Sequence, residues 1–240
     1  MKKAPLITVI TVSYNAVSSI EDTIKSVINQ SYKNIEFIII DGQSTDGTVD
    51  IIKKYEKQIA YWTSEPDNGV YDAMNKGIDK STGEWIIFLG ADDILLDNLT
   101  ILQKYLLDNI SIIYGNVIYK NSRKRVFGKY SACKLVVRNI PHQAILYNKS
   151  VFKLYKYELQ YKIYADYVLN LKCWHDSNIT FRYVPVDMSI YNEEGLSSKM
   201  FDNVFGQNQV KLFWKYMPWY IAPYAALRKL ISKNLNKHFK

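Results

Sequence analysis

The sequence predicts an α/β fold with a doubly wound, mostly parallel central sheet covered by helices on both faces. Three observations predict it. β-branched runs alternate with amphipathic segments four times between residues 6 and 90. Each of those runs leads into a polar cluster, and sheets of this kind bind ligands just beyond the carboxyl ends of their strands. After residue 95 the alternation loosens, which marks a smaller, irregular half that completes a site.

The elements follow in order. LITVITV (6–12) is a continuous β-branched run, the pattern of a strand buried on both faces. In SSIEDTIKSVINQ, Ser18 and Glu21 have capping-box spacing, and Ile20, Ile24, Val27 and Ile28 share one helical face. IEFIII (35–40) is a second buried strand, and STDGTVDIIKKYEK opens on cap residues before placing Val49 and Ile52 at helical spacing. IAYW (59–62) is a short strand, VYDAMNKGID a helix starting after Gly69, and EWIIFLG (84–90) a fourth strand. Four loops then share the carboxyl edge: SYN (13–15), DGQSTDGT (41–48), SEPDNG (64–69) and GADD (90–93). Further on, NLTILQKYLLDN is a helix, and SIIYGNVIYK and RVFGKY are antiparallel strands around a polar turn. YADYVLNLKCW is a helix with Val168, Leu169, Leu171 and Trp174 on its apolar side. ITFRYVPVDMSIY is strand-like, and Pro185, which cannot donate to a ladder, argues for a sheet edge. With no repeat or linker, residues 1–215 read as one domain, followed by a basic, aromatic tail over 216–240.

Bulk properties narrow the function. The chain has 240 residues, 48% hydrophobic and 22% charged, the balance of a soluble globular protein. The apolar run MPWYIAPYAAL (217–227) carries two Pro and is too short to span a bilayer. The apolar run of the opening MKKAPLITVITVSYN is broken by Ser13, Tyr14 and Asn15, too early for a signal peptide. Cys133 and Cys173 have neither metal-ligand spacing nor a disulfide framework, which points to a reducing, cytoplasmic compartment. The net charge of +8 points to an anionic partner: nucleic acid, a phosphorylated small molecule or an acidic membrane face. No nucleic-acid-binding motif accompanies it.

The common phosphate cradles are absent. Neither G-x-G-x-x-G nor G-x-x-x-x-G-K-[ST] follows the first strand. The crevice is instead acid-rich, with Asp41, Asp46, Asp67, Asp72, Asp92 and Asp93. Carboxylates attract a diphosphate only when a divalent metal sits between them. Asp92 and Asp93 suit a hard-oxygen site for Mn²⁺ or Mg²⁺; the other reading of the pair is a cap on the following helix.

TVITVSYN, FIIIDGQSTDGT, SEPDNGVYDAMNKG and WIIFLGADD resemble the successive motifs of the family 2 glycosyltransferases, which have the GT-A fold. PHQAILYNKSVF, YKIYADYVLNLK and NEEGLSS extend the match over most of residues 6–200. The resemblance is closest to the branch that builds bacterial capsule, exopolysaccharide and O-antigen units. It implies a nucleotide-sugar site of Thr11, Ser13, Tyr14, Asn15, Asp41, Ser44, Asp67, Asp72, Asn75, Lys76 and Asp92, with Tyr14 and Asp41 at the base and Asp72 and Asn75 along the sugar. ADD stands for the family's D-x-D region, with Gly90 where the family often has Asp, so that Asp92 and Asp93 divide sugar and metal between them. Asp166 matches the family's general base, Ala165 replacing the Glu before it. His142, Gln143 and Ser197 are implied at the acceptor or the departing diphosphate, and EEGLSS at a closing loop, with Glu194 in place of a Gly.

The implied reaction takes a nucleotide diphosphate sugar, UDP-linked by preference, and inverts the anomeric carbon in one displacement onto a saccharide hydroxyl. The last residues, YAALRKLISKNLNKHFK, place Tyr224, Leu227, Ile231 and Leu235 at helical spacing with Arg228, Lys229, Lys233 and Lys237 around them. That is the pattern of a helix lying on an anionic membrane, or of a helix packed on its own domain. A membrane location at the inner face suits a lipid-linked acceptor. A sugar nucleotidyltransferase and a non-catalytic anion binder are the alternatives; the first lacks a Gly-rich, basic loop after its first strand, and the second rests on charge alone.

Overall fold

The structure is a computed structural model that describes residues 4–106, 109–195, 200–224 and 227. Its strands are β1 (Ile7–Ser13), β2 (Ile35–Asp41), β3 (Tyr61–Ser64), β4 (Trp85–Gly90), β5 (Ile94–Leu95), β6 (Ile112–Tyr119), β7 (Arg125–Val126), β8 (Ile145–Asn148) and β9 (Phe181–Tyr191). They form one mixed, mostly parallel sheet in the order β3-β2-β1-β4-β8-β6-β9-β5, with β7 paired to β6. The first half is wholly parallel: β1 pairs with β2 and β4, and β2 with β3. β8 is inserted antiparallel between β4 and β6, while β9 runs parallel to β6.

The helices are α1 (Ile20–Ile28), α2 (Thr48–Lys54), α3 (Val70–Lys80), α4 (Leu99–Leu102), α5 (Ala132–Val137), α6 (Val151–Leu154), α7 (Ala165–His175) and α8 (Asn203–Tyr216). β1 is buried at every position, as its unbroken apolar run demands. Its residues alternate between two cores. Ile7 and Val9 pack with Ile20 and Ile24 of α1 and Ile52 of α2. Ile10 and Val12 pack on the other face with Met74 of α3, Leu169 of α7 and Phe213 of α8. This two-layer burial fixes the register of the parallel strands, and with it the height at which their carboxyl ends open.

Several expectations shift in detail. β1 and β2 each run one residue further than expected, to Ser13 and Asp41, because both side chains are buried in a hydrogen-bonded cluster. The Ser18 capping box does not form: α1 is capped at Ser19 without a side-chain bond, and Glu21 turns to the Tyr55 hydroxyl and Lys25 instead. The helix expected after residue 96 is a single turn, α4, running into a 3₁₀ turn at Gln103–Tyr105. β6 and β7 are the expected antiparallel pair. β9 is not the sheet edge along its whole length, because β5 pairs with Ser189 and Ile190. Pro185 sits where the β6 partners jump from Tyr183 to Asp187, an irregularity that removes the need for its missing donor.

α7 is buried nearly all round, including Asp166, Tyr167 and Asn170, because α8 lies against it. The chain stays with the domain beyond residue 216: Met217, Ile221 and Ala222 are buried, whereas Trp219 is 79% exposed beside an exposed Tyr220. Most of the basic tail lies outside the described residues. Among the described residues, no helix is long and apolar enough to cross a membrane.

Candidate active site

At the carboxyl edge of β1 and β2 the hub is Asp41, fully buried. Its Oδ1 accepts from the hydroxyls of Ser13 at 2.8 Å and Ser44 at 2.6 Å. Its Oδ2 accepts from the Ser44 amide at 2.8 Å and the Ser64 hydroxyl at 2.7 Å. Three strand ends are thereby tied to one carboxylate. A second set of bonds stitches 15–17 to 44–48: Asn15 N to Ser44 Oγ, Thr45 N to Asn15 Oδ1, Ala16 N to Thr48 Oγ1 and Val17 N to Asp46 Oδ2. Ser13, Asn15, Asp41 and Ser44 are therefore together, with these polar atoms bonded to one another. Tyr14 is the side chain left outward, 69% exposed. Its ring and the Asp67 carboxylate converge over Gly42, where a Cβ would lie 2.6 Å from Asp67 Oδ2 and 3.4 Å from the Tyr14 ring. Thr11 is two residues deeper in β1 and fully buried, so its hydroxyl does not reach the crevice.

The 64–77 stretch forms the next wall. Asp67 Oδ1 accepts from Gly69 N at 2.7 Å, and Asp72 Oδ2 accepts from Asn68 N at 2.9 Å. Together they shape the turn that starts α3. The Asn75 amide holds both backbone groups of Tyr157, at 3.0 and 3.1 Å. Lys76 likewise bonds Pro66 O and pairs with Glu65.

After β4 the two carboxylates behave differently. Asp93 is 1% exposed and accepts three amide donors: Gly90 N at 3.1 Å, Gln143 Nε2 at 2.9 Å and Asn192 N at 2.8 Å. Burial, followed by the charge of Asp92, pushes its carboxyl up to about 6. Asp92 is partly exposed; its Oδ2 accepts from Asn192 Nδ2 at 2.8 Å, and its Oδ1 has no hydrogen bond among the described residues. Both carboxylates lean over Gly90, where a Cβ would lie 2.7 Å from Asp93 Oδ2 and 3.0 Å from Asp92 Oδ1. An Asp at position 90 has no room with the pair in this arrangement. The helix-cap reading of the pair fails, since α4 is capped at Asn98.

Asp166 stands in the first turn of α7, buried against four donors. The Tyr71 hydroxyl lies 2.9 Å and the Tyr167 amide 2.7 Å from Oδ1. Asn139 Nδ2 lies 2.8 Å and His142 Nδ1 3.3 Å from Oδ2. It opens on a cavity of about 1030 Å³ whose walls include Tyr71, Arg138, His142, Tyr191 and Phe205. Asp202 caps α8 through Phe205 N at 2.9 Å and also takes the amides of Ile163 and Tyr164, fastening α8 to the loop that precedes Asp166.

His142 and Gln143 join the two acidic centres, one touching Asp166 and the other Asp93. Ser197 lies outside the described residues, but Gly195 of the same segment already approaches Asp92, 3.7 Å from its would-be Cβ. Tyr71, Asn139 and Asn192 were missed as site residues although Tyr71 and Asn192 lie inside quoted motifs and Asn139 stands two residues before one. Asp202 had no sequence signal beyond that of a helix cap.

The sequence profile described as "Glycosyl transferase family 2" matches residues 8–167. The chain belongs to this family. A PGL/p-HBAD biosynthesis glycosyltransferase of Mycobacterium bovis is 34% identical over 214 residues, spanning 84% of this chain and 83% of the relative. TuaG of Bacillus subtilis, a glycosyltransferase named for teichuronic acid biosynthesis, is 46% identical over 92 residues, 37% of this chain and 36% of its own. Among solved structures, S. aureus TarS in complex with UDP-GlcNAc overlays with a TM-score of 0.71 at 16% identity, covering 86% of this chain. This glycosyltransferase spans 65% of that TarS chain, less than two thirds. A Pyrobaculum calidifontis mannosyltransferase in complex with GDP-Man and Mn²⁺ overlays with a TM-score of 0.69 at 17% identity, covering 95% of this chain and 70% of its own. These likenesses show the GT-A fold.

The raised Asp93 carboxyl yields a stability prediction. The folded chain keeps a proton on Asp93 that the unfolded chain releases near pH 4, so the stability Asp93 contributes falls as pH rises from about 4 through about 6. In metal-free buffer, the stability of the parent glycosyltransferase relative to Asp93→Asn is expected to fall by about 2 kcal/mol between pH 4 and pH 7. Urea unfolding of both chains across that range measures it; a flat difference contradicts it.

Proposed function

We propose that this glycosyltransferase transfers a hexose, with inversion, from a UDP-sugar to a hydroxyl of a lipid-linked saccharide in bacterial surface polysaccharide synthesis. The observation that carries the reading is the brace at residues 142–143, which sets a donor-side acidic pair and an acceptor-side carboxylate on either side of one turn. The relatives support the substrate classes: their names concern glycolipid and polysaccharide synthesis, and TarS is seen with UDP-GlcNAc.

On the donor side, Tyr14 and Asp67 meet over Gly42 and the exposed Tyr14 ring is the face offered to a base, while Asp41 orders the loops around it. The donor set after β4 fits a hard divalent cation: Asp92 Oδ1 is unengaged among the described residues and Asp93 lies beside it. Among the described residues, no group of three or more His, Cys, Asp or Glu side chains stands ready for a metal. Mg²⁺ and Mn²⁺ sites of this kind use one or two carboxylates together with substrate phosphates. Asp92 would hold the ion, with Asp93 positioning the loop beneath it. When bound, the ion supplies neutralisation of the charge that develops on the departing diphosphate.

On the acceptor side, Asp166 takes the proton of the attacking hydroxyl. Asn139, His142 and Tyr71 hold its carboxylate facing the cavity. The hydroxyl oxygen then bonds to the anomeric carbon as the bond to the diphosphate oxygen breaks, through an oxocarbenium-like state. No covalent intermediate is needed, so configuration inverts. Exposed Trp214 near the end of α8 and exposed Trp219 and Tyr220 at the start of the basic tail make a composition that suits a peripheral seat on the inner face of the membrane.

Three measurements test this reading. Asp166→Asn is expected to fold and bind UDP like the parent and to lower turnover by roughly 10²- to 10⁴-fold; turnover within a few-fold of the parent, or a product that keeps the donor's anomeric configuration by proton NMR, overturns the base assignment or the inversion. Calorimetry of UDP with Mn²⁺ should show Asp92→Ala weakened about tenfold or more, with metal-free UDP binding unchanged; full turnover in EDTA removes the metal from the mechanism. In flotation with anionic liposomes, the full chain should rise with the vesicles and a chain ending at Pro223 should not, each basic residue near the surface contributing about 1 kcal/mol.

A further inference from the structure

The cavity beside Asp166 carries a charge that transfer chemistry does not use. Arg138 lines it, directly after α5, with extended backbone at φ −154° and ψ 133° and its amide bonded to Lys134 O. The guanidinium donates to the Tyr119 hydroxyl and lies 5.7 Å from the centroid of that ring. Among the described residues it enters no ion pair.

The other charged groups of the cavity wall are already matched. Asp166 is held by Tyr71, Asn139, Tyr167 and His142, and Asp202 by three backbone amides. Lys134, one turn earlier on α5, adds to the positive field; burial and then Arg138 push its ammonium down, and it bonds the carbonyls of Phe127 and Gly128. A guanidinium has five N–H donors in a fixed fork that matches a carboxylate or phosphate. A half-buried one that has, among the described residues, a single neutral partner and no counter-ion is an incomplete site. Its place in the fold separates it from the donor diphosphate, because the cavity wall includes Asp166 and Arg138 but not Asp92. Tyr119 and Tyr191, with ring centroids 5.6 Å apart, stand beside it as an aromatic wall for a sugar.

We propose that Arg138 is an anion-recognition site for the acceptor, reading an oxyanion on the saccharide or its carrier within the cavity that holds Asp166. The proposal rests on the glycosyltransferase reading for the word acceptor, but not for the anion site itself. Two sources supply the same chemistry: the carboxylate of an acidic sugar, or the phosphate of a lipid carrier.

Ligand-observed NMR titrations of the full chain decide it with four probes: methyl glucuronide, methyl glucoside, citronellyl phosphate and citronellol. UDP with Mn²⁺ is titrated in parallel. The parent chain should bind at least one anion about tenfold or more tightly than its neutral counterpart. Arg138→Gln should remove that preference and leave UDP affinity within twofold; Arg138→Lys should keep part of it, since it retains the charge without the fork. Preference for the glucuronide identifies a sugar carboxylate, and preference for citronellyl phosphate a carrier phosphate. No anion preference in the parent overturns the proposal, as does a preference that survives in Arg138→Gln. A loss of UDP affinity in Arg138→Gln as large as the loss for the anion moves the residue to the donor and also overturns it. If Arg138→Gln does not fold, by circular dichroism, the parent and Arg138→Lys comparisons still decide. Failure of the parent to bind UDP with Mn²⁺ counts against the glycosyltransferase reading alone.

Discussion

The site depends on one short turn. Pro141 leads into a 3₁₀ turn at His142–Ala144, and β8 begins at the next residue, held between β4 and β6. His142 faces Asp166 on α7, and Gln143 faces Asp93 after β4. Two acidic residues more than seventy positions apart in the chain are thus set by adjacent side chains on a segment anchored in the sheet. A shift of that turn moves both centres together, so their spacing is protected against small motions of either half. The antiparallel insertion of β8 into an otherwise parallel half-sheet is what brings the turn there.

A similar logic governs the carboxyl edge of β1, β2 and β3. Asp41 accepts four hydrogen bonds and is fully buried, so every acceptor position is used within the protein. A buried carboxylate is tolerated only when it is compensated in this way. The consequence is rigidity. The ends of β1, β2 and β3 converge on one group, and the exposed ring of Tyr14 is presented from a fixed base. The acidic pair after β4 divides its work on the same principle. Asp93 is bonded inward by three amides, which leaves Asp92 as the carboxylate facing outward.

The two halves of the molecule contribute different things. The parallel half supplies a crevice whose geometry follows from strand register, common to α/β sheets. The second half supplies a cavity whose shape depends on α8, which lies on α7 and is fastened through Asp202 to the loop before Asp166. Arg138, Tyr119 and Phe205, which line that cavity, all come from elements outside the parallel half.

The sequence by itself determined the first four strands and their helices, because unbroken β-branched runs and helical spacing are local signals that burial on two faces enforces. It also located the four polar loops, and through their motifs the family. Asp92, Asp93 and Asp166 were legible as acidic residues at element ends. Only the tertiary structure decided which atoms of these residues are engaged. Thr11 and Asn75 looked like ligand contacts in the motif; one is buried beneath the crevice and the other clamps the backbone of Tyr157. Nothing local in the sequence marks Asp202 as a fastener, or Arg138 as a cation without a counter-ion among the described residues. The physical reason is that hydrogen-bond saturation and charge compensation are sums over neighbours from distant segments. Residue 41 meets residues 13 and 64, residue 93 meets 143 and 192, and residue 166 meets 71, 139 and 142 only after the sheet has closed.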